Sequence, residues 1–192
     1  MKTTKYIIAF CLICYANVIF AGINNPIKHF LSLRKGFYNE SNSIYILTTD
    51  LNCDDKDEVF LSIDKDTNGM YGNIWMVYIS KDGEYIRSKD IIVFDINRTI
   101  IINNPIRNRK GKKLLTYVYK DKKTIQFREI KIKDESVEER NIAECTFTDQ
   151  AGHDMMVQSF DTSQFSKCFI KETAKNLQNA GSTNVIKTGS SS

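Results

Sequence analysis

From Ser43 to Phe160 the chain is a succession of short runs rich in β-branched and aromatic residues, separated by brief polar turns. Such runs fit extended strands better than helices, because branched and aromatic side chains pack well on a pleated surface. We place strands at 43–49, 58–63, 73–80, 84–95, 98–103, 114–120, 124–132, 142–148 and 155–160. Lys81-Asp82-Gly83-Glu84 between two of them supplies the Asp-Gly pair that a tight hairpin uses for its positive φ angles. Tyr119-Lys120-Asp121-Lys122-Lys123-Thr124 is a second, weaker hairpin turn. No strand–helix–strand alternation runs through these segments. The expected fold is therefore mainly β, with antiparallel sheets arranged as a sandwich or as partial-propeller-like hairpins.

A helix is expected at each end. Asn25-Pro26, then Ile27, Phe30 and Leu31, then Gly36, reads as cap, first-turn proline, apolar face and stop. From Ser163, the residues Phe165, Cys168, Phe169 and Leu177 recur at near-helical spacing up to Gly181, which predicts a terminal helix of about four turns. Residues 182–192 are small and polar and are expected to form a flexible tail.

Lys2 and Lys5 precede an apolar stretch, Tyr6 to Phe20, that ends at Ala21-Gly22. Positive charge, apolar core and small residue in that order read as a secretory signal peptide cut after Ala21. The stretch holds Asn17 and falls short of the ~20 residues a spanning helix needs. The expected organisation is a signal peptide over 1–21, a single β-rich domain over 22–181, and the tail. The mature protein would be periplasmic or secreted, with no transmembrane segment after cleavage. Removing Lys2 and Lys5 lowers the net charge from +4 to +2, which gives no argument for nucleic acid. Cys11 and Cys14 would leave with the leader, so Cys53, Cys145 and Cys168 remain in an oxidising compartment. Among the three possible pairings we favour Cys145 with Cys168, tying the terminal helix to the preceding strand.

One loop carries chemistry. In Asp50-Leu51-Asn52-Cys53-Asp54-Asp55-Lys56-Asp57-Glu58, oxygen-bearing side chains stand at the first, third, fifth and ninth positions, and the Lys56 carbonyl is at the seventh. That set suits a hard cation, since Ca²⁺ takes six to eight oxygens. Without a cation, Asp50, Asp54 and Glu58 would repel one another. Leu51 would anchor the loop to the core. The motif resembles the calcium loop of the FG-GAP or VCBS type, Asp-x-Asn/Asp-Gly-Asp-Gly-x-x-Asp/Glu-hydrophobic, which joins two antiparallel strands. The resemblance implies side-chain ligation by Asp50, Asn52, Asp54 and Glu58 and carbonyl ligation by Lys56. It extends over residues 44–80, where Gly72-Asn73-Ile74-Trp75 looks like the second strand pair of such domains. The family's glycines at the fourth and sixth positions are Cys53 and Asp55 here. Substituting those glycines should weaken the site toward the ~10⁻⁴ to 10⁻³ M range of extracellular modules. A second acidic run, Asp64 to Gly69, opens like an EF-hand loop but has Gly72 and Trp75 where its later carboxylates belong, so it reads as a turn.

The stretch from Arg107 to Lys133 holds eleven bases against Asp121 and Glu129. Arg107, Arg109, Lys110, Lys112 and Lys113 would offer a basic face to an acidic protein partner. Trp75, the only tryptophan, would pack in the core or, if exposed, anchor an interface. No His-Glu-x-x-His or Gly-x-Ser-x-Gly occurs, and the two histidines, His29 and His153, have no partner at ligand spacing. The expected role is a noncatalytic exported binding domain ordered by one Ca²⁺. Resemblance to exported single-domain proteins of this type implies an inhibitor or immunity protein directed at a secreted toxin. The rivals are a hydrolase or carbohydrate-active enzyme working through carboxylates, and an envelope adhesion or structural protein.

Overall fold

The computed structural model describes residues 22–68, 71–103, 111–158 and 169–180. The leader, the tail, Arg107, Arg109, Lys110 and Cys168 lie outside them. The described chain is mainly β, in two antiparallel sheets with three short helices. Helix α1 (Pro26–Leu33) comes first, capped by Asn25, whose Oδ1 accepts the Lys28 N–H at 2.9 Å. Strands β1 (Ser43–Thr49), β2 (Glu58–Ile63), β3 (Asn73–Lys81) and β4 (Glu84–Phe94) then form a meander. A 3₁₀ turn, Ile96–Arg98, leads to β5 (Thr99–Asn103), β6 (Lys112–Asp121), β7 (Thr124–Lys133) and β8 (Ser136–Thr146). Helix α2 (Gln150–Gln158), β9 (Phe169–Thr173) and helix α3 (Ala174–Asn179) complete the fold.

Sheet 1 has the order β4-β3-β2-β1-β9 and sheet 2 the order β5-β6-β7-β8. Alternation along each strand sends side chains to two different cores. Ile44, Ile46, Val59, Leu61, Ile63 and Tyr78 meet α1 and α3 through Phe30, Leu31 and Leu177. Leu47, Phe60, Trp75, Val77 and Ile79 point the other way and meet Ile101, Leu114, Ile130 and Val137 of sheet 2. Strand β2 is buried along its whole length because it has a core on each face. Beyond sheet 2, Tyr117, Tyr119 and Phe127 pack with Val157 of α2. The layers therefore run helices, sheet, sheet, helix, so the sandwich alternative holds. Among the described residues no helix is long and apolar enough to cross a membrane.

Several expectations need correction. Residues 155–160 were expected as a strand, but 150–158 are helical: Asp149 Oδ1 accepts the Gly152 N–H at 2.8 Å, and this capping starts a helix. Of the strand expected at 142–148, residues 142–146 belong to the longer β8 and the last two lie beyond it. The terminal helix expected from Ser163 is absent over 169–173, where the chain is strand β9; among its described residues only Ala174–Asn179 form an α-helix, and 163–168 lie outside them. The open edge of β1 explains this, because β9 pairs with it from Ser43↔Thr173 to Leu47↔Phe169 and satisfies its backbone groups. Thr173 Oγ1 then caps α3 by accepting the Asn176 N–H.

The β3–β4 hairpin turns as expected, with φ of 51° at Asp82 and 85° at Gly83. Nothing lies within 4 Å of a Cβ built on Gly83. Gly83→Ala should therefore cost only the backbone term, about 1 kcal/mol in urea denaturation. A neutral result would mean the turn is not held in this form.

Candidate metal centre at the β1–β2 corner

Strand β1 ends at Thr49 and β2 begins at Glu58, and these two residues face each other across the ladder. The intervening loop, 50–57, carries the first eight residues of the acidic run, and Glu58 at the start of β2 is the ninth. Asp50 Oδ1 accepts N–H groups from Cys53 at 2.7 Å and Asp54 at 3.3 Å, and Oδ2 accepts that of Asp55 at 3.2 Å. Asn52 Oδ1 accepts the Asp54 N–H at 3.0 Å, and Asp54 Oδ1 that of Lys56 at 2.9 Å. Acidic and amide side chains at alternate positions thus fold the backbone around themselves. Cys53 and Asp55 take φ of 66° and 64°. These are the left-handed positions where the resembled motif has glycine, and Asp tolerates them better than most residues.

Leu51 packs partly into the core between the sheets, so its anchoring role holds. Asp50 O accepts the Lys112 N–H at 2.7 Å, which ties the loop to the start of β6. Asp50 and Glu58 are buried. Glu58 Oε2 accepts the Leu51 N–H at 2.8 Å, while Oε1 is buried with no hydrogen-bond partner. Thr49 Oγ1, on the cross-strand neighbour, is likewise buried and unpartnered. Paired residues of a ladder project to the same face, so both unsatisfied oxygens belong to this corner. Burial pushes the Glu58 carboxyl up to about 7, with the charges of Asp50 and Asp54 adding to it. Burial also raises Asp57, against the pull of Lys112.

Thr49 was not singled out from sequence. Its signal was register: it directly precedes the loop and therefore faces the residue that ends it. Among the described residues no group of three His, Cys, Asp or Glu side chains is arranged to hold a metal. Several of the loop's carboxylate oxygens are turned instead onto its own amides.

Of the remaining predicted residues, Trp75, Lys112, Lys113 and Cys145 are among those described. Trp75 is fully buried, stacked on Phe94 at 4.6 Å, with Nε1 donating to Phe94 O at 3.0 Å. It cannot anchor a partner and is a core residue. Lys112 is exposed, but Lys113 and Lys131 both pair with Glu129, at 3.3 and 3.1 Å. Burial pushes the Glu129 carboxyl up, and its bonds to Lys131 and Lys113 outweigh this and hold it below the usual range. Lys120, Arg128 and Lys133 pair across the ladder with Glu144, Glu139 and Glu138 of β8. Glu138, Glu139 and Glu144 of β8, which fall outside the stretch counted, thus answer three of its eleven bases. Cys145 carries no disulfide to any described residue, and Cys168 lies outside them.

The second acidic run is a turn, as expected: Asp66 pairs with Arg34, and Asp64 accepts from Asn42 Nδ2 at 3.3 Å. His29 Nδ1 meets the Tyr78 hydroxyl at 3.1 Å beneath α1, and burial and the charge of Arg87 hold its pKa below the ordinary value. His153 Nε2 meets the Tyr119 hydroxyl at 2.7 Å and docks α2 on sheet 2. No family model, curated protein or solved structure matches the chain.

Proposed function

We propose that this chain is an exported, noncatalytic binding domain whose β1–β2 corner takes one Ca²⁺. The observation that carries the ion is the orphaned Glu58 Oε1, a buried carboxylate oxygen on the ladder partner of Thr49, whose Oγ1 is equally orphaned. A buried carboxylate is stable when charged only if it is paired or coordinates a metal. Asp50, Asn52, Asp54 and Glu58 would hold the ion, with the Lys56 carbonyl. Each ionised carboxylate has about four acceptor sites, so the bonds already made to the loop amides leave capacity for a cation. The ion would supply charge neutralisation and order, not catalysis. The left-handed angles at Cys53 and Asp55 support the likeness to FG-GAP and VCBS-type loops.

Export rests on the leader-like sequence. Binding of an acidic protein, such as a secreted toxin, rests on that likeness and on the basic residues around Lys112. The enzyme alternative has weaker support, because the two buried carboxylates of this corner, Asp50 and Glu58, both accept hydrogen bonds from the loop's own amides, and buried Glu129 is held by Lys113 and Lys131.

Titration calorimetry should give one Ca²⁺ per chain with Kd in the ~10⁻⁴ to 10⁻³ M range of extracellular modules. Asp50→Ala should bind none. No heat in the wild-type protein, or equal binding by Asp50→Ala, would remove the ion from the account.

A further inference from the structure

Gly22 and Ile23 hold defined places at the point where an export cut would create a new chain end. The Ile23 N–H donates to Tyr85 O at 2.8 Å, and the Tyr85 N–H donates to Ile23 O at 3.1 Å. The Ile23 side chain packs on the core beneath the helices, and Asn25 already caps α1. The chain is therefore held from Ile23 onward, with Gly22 the one residue between it and Ala21. A Cβ on Gly22 would fall on the Glu84 side chain, on its Cβ and on its carboxylate alike. That carboxylate thus lies against the Gly22 Cα, whose nitrogen is one bond of about 1.46 Å away.

We propose that hydrolysis of the Ala21–Gly22 peptide bond creates an ion pair between the new Gly22 α-ammonium and the Glu84 carboxylate, fastening the mature N-terminus to the β3–β4 hairpin. Water adds across the bond: its oxygen stays on the Ala21 carbonyl as a carboxylate, and the nitrogen leaves as the Gly22 ammonium. In the uncut chain the same nitrogen is a neutral amide, so the ion pair exists only after the cut. Glycine at position 22 is required because any side chain would occupy the carboxylate's place. Lys81, the nearest base along the hairpin, is drawn to Glu135 at 2.6 Å. Asp82, beside it, adds negative charge to the same turn, and the Tyr85 hydroxyl, raised by burial, stays neutral where the amine titrates. The cut rests on the export reading, whereas the pairing rests on the Gly22–Glu84 contact.

The test is an NMR titration of the chain beginning at Gly22 with a free amine and ¹³Cα-labelled glycine. The one glycine signal that titrates near pH 8 should report an amine pKa about half a unit above the free range of ~7.7–8.0, an approximately threefold shift in proton affinity. Glu84→Gln should return it to that range. Gly22→Ala, labelled at the alanine Cα instead, should do the same while the sheet signature in circular dichroism is kept. Equal values in wild type and Glu84→Gln would overturn the pairing. The intact mass of protein recovered from an exporting host tests the cut separately: a start at Gly22 supports it, and any other start overturns it without touching the titration.

Discussion

Trp75→Ala is expected to remove about 3 to 5 kcal/mol of stability, the range for deleting a buried aromatic ring. The ring is fully buried between the sheets, stacked within 7° of parallel on Phe94 and tilted against Phe169 of β9 at 5.6 Å. Truncation opens a cavity where β3, β4 and β9 meet, and it strips Phe94 O of its donor, Nε1. For a domain of this size the loss corresponds to a fall in Tm of roughly 6 to 20 °C. Trp75→Phe keeps an aromatic ring in place but loses the Nε1 bond to Phe94 O, so a smaller loss of about 1 to 3 kcal/mol is expected. Urea denaturation followed by circular dichroism makes the comparison, since the variants lack the chain's one tryptophan fluorophore. A loss under about 1 kcal/mol for the alanine variant would mean the ring is not a core element, and its role as a surface anchor would reopen.

Trp75 also shows what the sequence could and could not convey. Strand alternation correctly separated Trp75 and Val77 from Met76 and Tyr78. It could not say which face was covered, because in a layered sandwich both are. The acidic loop was legible to the residue at both ends, since β-branched runs stop at Thr49 and resume after Glu58 and the intervening acids disfavour a strand. Strand β9 was not legible. Its five residues follow an apolar spacing that resembles a helix, and only the unpaired edge of β1 makes them extended. Pairing partners far apart in sequence decide such cases. The same holds for charge: Lys120, Arg128 and Lys133 look like a basic face until the β6–β7 and β7–β8 pairings set Glu144, Glu139 and Glu138 close to them. The candidate site was likewise half visible. Its loop oxygens come from one short run of sequence, but Thr49 enters through cross-strand pairing with Glu58.

In metal-free buffer the protein is expected to lose stability as pH rises between 4.5 and about 7, the opposite of the usual behaviour of a carboxylate in a salt bridge. Burial is the largest reason Glu58 is raised from 4.5 to about 7, and Asp50 and Asp54 add to it. Above 4.5 the unfolded chain releases a proton that the folded chain keeps. Glu58 therefore contributes fully below 4.5, and its contribution is lost as pH climbs through about 7. At about 1.4 kcal/mol per pKa unit this is on the order of 3 kcal/mol. His29, held below its ordinary value, acts oppositely and loses stability as pH falls, so the comparison must be made against Glu58→Gln, which should flatten the Glu58 slope and leave that of His29. Calcium should then act where the carboxylate is charged. At pH 8 and about 10 mM Ca²⁺, a Kd of ~10⁻⁴ to 10⁻³ M stabilises the fold by about 1.4 to 2.7 kcal/mol. At pH 5 the ion must compete with the proton on Glu58, so the gain should shrink. Thermal melts of both proteins at both pH values read all of these differences. A calcium gain that is the same at pH 5 and 8, or undiminished in Glu58→Gln, would place the ion away from the β1–β2 corner.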